Sequence, residues 1–104
     1  MYHDSLEVAA ERLISFMIRE REQRTHFIEV EIDRLVREGS SLGLSQDDSD
    51  LLDYFCDLIL ESASKTEKQC YRTIVTLCIE FQSVFESEAL VELVESLPGH
   101  LNFS

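Results

Sequence analysis

The sequence predicts an all-α protein, a helical bundle of four or five helices with a long N-terminal helix, and three observations carry that prediction. Apolar residues recur at helical spacing along nearly the whole chain. Ser, Thr or Asp residues of the kind that start helices precede each apolar run. The three glycines and one proline fall at only two places, residues 39–43 and 98–99, so few breaks are available. A chain of 104 residues is one domain, here 1–104, with 98–104 as a short C-terminal tail.

The first helix starts near Asp4 or Ser5, either of which suits an N-cap, with Glu7 placed for a capping box. Leu6, Ala9, Ala10, Leu13 and Met17 then share a face. The apolar pattern pauses over residues 19–26 and resumes with Phe27, Ile28, Ile32, Leu35 and Val36. Carried through the pause, the 3.6-residue period keeps Leu6, Leu13, Met17, Phe27, Ile28 and Leu35 on one side, with Glu20–Arg24 and Asp33–Arg37 as favourable i,i+4 pairs. One continuous helix over residues 5–38 is therefore favoured over a break at residues 23–25, and would be on the order of 50 Å long. Gly39 suits a left-handed residue after the helix end.

Ser45 or Asp47 caps a second helix over residues 46–64, which divides into an apolar face of Leu51, Leu52, Phe55, Leu58 and Ile59 and an opposite row of Asp50, Asp53, Asp57 and Glu61. Ser64 to Glu67 reads as a capping box, which makes the next connection short and the second and third helices an antiparallel hairpin along which the first helix packs. The stretch 70–85 is the densest in apolar residues. Cys70, Tyr71, Ile74, Val75, Leu77, Cys78, Ile79, Phe81, Val84 and Phe85 cover roughly 220° of a helix surface, an arc that requires neighbours on at least two sides. Ser87 caps a last helix that buries Leu90, Leu93, Val94 and Leu97 and ends at Pro98-Gly99. Leu101 and Phe103 are placed to dock.

The formal charge of −12 repels nucleic-acid phosphate and points to protein partners, basic ones among them. The later part of the chain holds most of it: residues 40–104 carry twelve acids against Lys65, Lys68 and Arg72. The three cysteines, odd in number and set in apolar pattern, fit buried free thiols in a reducing compartment. No run is long enough for a membrane span, and the N-terminus lacks a signal-peptide pattern, so the cytoplasm is expected.

Catalytic and cofactor signatures are not found: no phosphate loop, Gly-x-Ser-x-Gly, His-Glu-x-x-His or Cys-x-x-Cys occurs. His26 with Glu29, and His3 with Glu7, supply two donors each, too few for a metal centre. The expectation is a non-enzymatic intracellular protein–protein interaction module, an adaptor, small chaperone or inhibitor, without metal or cofactor. Asp50, Asp53, Asp57 and Glu61 would form its acidic, partly apolar partner-binding surface. Phe16, Ile18 and Val30, which stand off the main stripe of the first helix, would form the interface of a homodimer. The alternative is a dimeric regulator that contacts nucleic acid through residues Arg19 to Arg24; Glu20 and Glu22 interrupt that segment and disfavour it.

Overall fold

The computed structural model describes the backbone of residues 2–101 and the side chains of residues 6–101. Four helices follow one another: α1 (Tyr2–Ser40), α2 (Gln46–Ser62), α3 (Glu67–Gln82) and α4 (Glu88–His100). Each packs on its neighbours in chain order, and α4 closes the ring against α1. The first helix thus lies against α2 and α4, not along the α2–α3 hairpin, because the strongest contact of all, α3 with α4, occupies the other side of α3.

The first helix is unbroken through the polar stretch that separates its two apolar runs. No glycine or proline occurs before Gly39, and residues 19–24 are all Glu, Arg or Gln, strong helix formers. It begins at Tyr2, ahead of both expected caps, and the side chains of Asp4 and Ser5 lie outside the described residues. Neither expected pair, Glu20–Arg24 or Asp33–Arg37, is made; the ion pairs among the described residues are those of Arg34 with Glu31 at 3.0 Å and Glu38 at 3.2 Å. Thirty-nine residues give a rod about 58 Å long by the helical rise, and the molecule measures 64 × 21 × 20 Å. Its radius of gyration is 17.5 Å, against about 13 Å for a compact chain of this length.

The core is built by all four helices. Ile28 and Leu35 of α1, Leu52, Phe55, Cys56 and Ile59 of α2, Cys70, Ile74, Cys78 and Phe81 of α3, and Leu90, Val94 and Leu97 of α4 are buried together. Phe55 lies 5.0 Å from Phe81 by ring centroids and 6.2 Å, edge-on, from Phe85, so three aromatic rings pack α2 against the end of α3. The third helix is covered over a narrower arc than its composition suggests: Cys70, Ile74, Cys78, Phe81 and Phe85 are buried, whereas Tyr71, Ile79 and Val84 are exposed. With only α2 and α4 beside it, nothing reaches that far round. Leu101 docks as expected, and Phe103 lies outside the described residues.

The ends of the helices follow local chemistry with some displacements. Ser45 and Ser87 cap α2 and α4, accepting from the amides of Asp48 and Leu90. Thr66, rather than Ser64, caps α3 by accepting from Gln69. Gly39 is still helical; the positive φ, +65°, belongs to Gly43 in the following loop. What Gly39 provides is clearance, since a Cβ there would stand 3.0 Å from Leu52 Cδ2 of α2. The fourth helix runs through Pro98 to His100, a proline in the last turn ending the helix two residues later than expected.

One charged side chain is buried among these ends. Asp48, 2% exposed, turns its carboxylate to the α3–α4 connection, where Oδ1 accepts from the amide of Glu86 at 3.0 Å and Oδ2 from that of Ser87 at 2.9 Å. Both oxygens are thus used across 38 and 39 residues of chain, and the start of α2 is tied to the start of α4. Asp48→Ala should lower stability by roughly 2–4 kcal/mol, because two amides lose a charged acceptor at once. Urea unfolding should show the drop as a lower midpoint at unchanged slope, and the exposed neighbour Asp47→Ala should stay within about 0.5 kcal/mol of wild type.

Candidate functional site

The surface divides into features that the four-helix body accounts for and one that it does not. From residue 6 to residue 23 every side chain of α1 is exposed, and among the described residues the first of the helix to become buried is Ile28. At 100° per residue, Leu6, Ala10, Leu13 and Met17 lie within an arc of about 60°, the same arc that holds Ile28 and Leu35. The strip that α1 buries against the body therefore continues along a projecting arm. There Leu6, Leu13 and Met17 are 66%, 60% and 59% exposed, with Ile14 exposed on the flank.

Arg24 marks where the body ends. Its Nε donates to the carbonyl of Ala63 at 3.3 Å and one terminal nitrogen donates to that of Lys65 at 2.7 Å. These carbonyls belong to the turn after α2, where the helix leaves acceptors unpaired and the dipole favours a cation. Beside this latch the arm and the α2–α3 turn enclose a groove of about 370 Å³, with Ile14, Met17 and Ile18 on one wall and Ser64, Lys65 and Thr66 on the other. Nothing local in the sequence marks Arg24 for this role, since its partners lie about forty residues on.

The expected dimer residues Phe16, Ile18 and Val30 are all exposed, but they do not form one patch. Phe16 and Val30 lie within about 40° of each other, whereas Ile18 stands at least about 120° from either. A flat interface covers Phe16 and Val30 or Ile18, not all three. The larger uncovered strip is the Leu6–Met17 face, which sequence periodicity placed on one side of the helix with Ile28 and Leu35.

Asp50, Asp53, Asp57 and Glu61 stand exposed in a row on the outer face of α2, with exposed Tyr54 on one edge and Leu60 on the other. Among the described residues none of the four is in an ion pair; Asp50 accepts from Gln46 Nε2 at 2.9 Å. The row is an acidic ridge with apolar margins. His26 and Glu29 are exposed on α1, the side chain of His3 lies outside the described residues, and no three His, Cys, Asp or Glu residues converge as a metal set among those described.

The three cysteines are buried and unpaired with one another. Burial pushes the Cys56 thiol up to about 12, with the charges of Asp53 and Asp57 adding to the effect, and burial alone pushes Cys78 up to about 12. Thiols held protonated in this way are poor nucleophiles. Comparison of the chain with protein-family models, with curated proteins and with solved structures finds no match.

The thiol shifts have a stability consequence with a definite sign. Each folded value lies above the unfolded one, so the unfolded chain loses its thiol protons first and the folded state is disfavoured as pH rises from about 8.5 toward 12. Urea midpoints measured across that range should fall for wild type, and fall less steeply for Cys56→Ala together with Cys78→Ala.

Proposed function

We propose that the protein is a non-enzymatic protein–protein interaction module, an adaptor, small chaperone or inhibitor, that works as a homodimer through α1 and receives a basic protein partner on the acidic face of α2. The observation that carries this reading is the arm, an apolar strip that the chain's own body leaves uncovered over some three turns. The α2 ridge supports the second half: four like charges at i,i+3 and i,i+4 repel one another by a few tenths of a kcal/mol per pair, and no described basic residue is paired with them to offset it. The free buried thiols support a reducing compartment such as the cytoplasm.

The nucleic-acid alternative is less well supported. Arg24 already gives donors to the α2–α3 turn, Glu20 and Glu22 interleave with Arg19 and Arg21, and a charge of −12 opposes approach to phosphate. Asp53→Asn combined with Asp57→Asn tests the preferred reading. The melting temperature should hold or rise slightly, by an amount that shrinks with salt, while capture of a protein partner from lysate falls and nuclease treatment leaves the wild-type capture intact. Capture abolished by nuclease would transfer support to the alternative. Loss of several kcal/mol of stability would place these carboxylates in the architecture instead.

A further inference from the structure

We infer that the occupant of the arm is the arm of a second copy, running antiparallel, with Leu6 of each chain seated in the other chain's groove between α1 and the α2–α3 turn. This rests on the reading of α1 as an association surface and specifies its geometry. The spacing of the strip is the first reason. Leu6, Ala10, Leu13 and Met17 are separated by four, three and four residues, a series that reads the same from either end. A two-fold axis passing between Glu11 and Arg12 therefore sets Leu6 opposite Met17 and Ala10 opposite Leu13, each large side chain meeting a large or a small one without a gap, as an isologous interface requires.

Charge selects the direction. Among residues 6–12 the charges are Glu7, Glu11 and Arg12. With the axis between Glu11 and Arg12, an antiparallel pair sets Glu11 of each chain level with Arg12 of the other. A parallel pair would set Glu7 beside Glu7 and Arg19 beside Arg19.

Area is the third reason. The chain exposes 7247 Å², while a compact monomer of 12.0 kDa exposes about 6,000 Å². The excess, over about 1,000 Å², reflects the projecting arm, whose apolar strip a second copy would cover. The groove makes the seat specific. With Leu6 at the level of Met17, it meets the pocket formed by Ile14, Met17, Ile18, Ser64 and Thr66, so the body of one copy contributes to holding the arm of the other.

Purified protein tests this without a lysate. Light scattering from micromolar to hundreds of micromolar should give twice the 12.0 kDa chain mass. Leu13→Glu, at a position exposed within one chain, should raise the dissociation constant by at least about 100-fold and leave the helical signal of the body in place. Under mild oxidation Leu6→Cys and Met17→Cys should each cross-link poorly alone and readily when the two variants are mixed, with the wild type, whose thiols are buried, as control. A monomer at all concentrations would overturn the inference together with the dimer reading. A dimer that ignores Leu13→Glu, or one in which Leu6→Cys cross-links alone as well as in the mixture, would overturn the antiparallel pairing and leave the dimer reading standing.

Discussion

The architecture depends on a mismatch of lengths. Helices of 17, 16 and 13 residues make a body about 25 Å tall, and α1, at 39 residues, is more than twice as long. Only the part of α1 that finds α2 and α4 beside it can bury its apolar strip; the remainder keeps the same periodicity and the same helical conformation without the cover. A strip of one phase is thus divided into two fates by where the other helices stop. That division makes the molecule a body with a handle rather than a four-helix bundle of equal members.

Within the body, cohesion comes from an apolar centre and two polar ties that span the chain. The rings of Phe55, Phe81 and Phe85 join α2 to the end of α3, Asp48 joins the start of α2 to the start of α4, and Arg24 joins α1 to the turn after α2. Each polar tie pairs a charged side chain with backbone groups left open at a turn or a helix end, so neither leaves a partner charge unsatisfied. Exposed charges are free of such structural duty, which is why the acidic ridge on α2 can be read as a surface rather than as part of the frame.

Much of this was legible in the residues. The caps at Ser45 and Ser87 are local signals, and the continuity of α1 followed from a period that kept phase across residues 19–26. The four acids of α2 fell where a helical wheel put them. What could not be read was which apolar residues would find neighbours. Leu13 and Leu35 lie in the same arc of α1, and only the position of the α2–α3 turn, set by the lengths of other helices, leaves one exposed and the other buried. Asp48 and Arg24 are illegible for a related reason, since their partners stand some forty residues away and carry no side-chain signature. Gly39 shows the opposite error: a glycine near a helix end suggested a left-handed cap, whereas its use is close approach to Leu52.

The latch at Arg24 also divides the chain kinetically. C-terminal to it, an amide bonded within a helix of the body exchanges its proton with solvent when buried side chains separate, so its protection reports the cooperative opening of the body. N-terminal to it, the backbone bonds of a lone chain are held by helix propensity alone, and a free helix of about twenty residues frays readily in water. Protection there becomes a property of whatever lies against the arm, so that the order of these twenty residues rises and falls with the concentration of the occupant while the body stays unchanged.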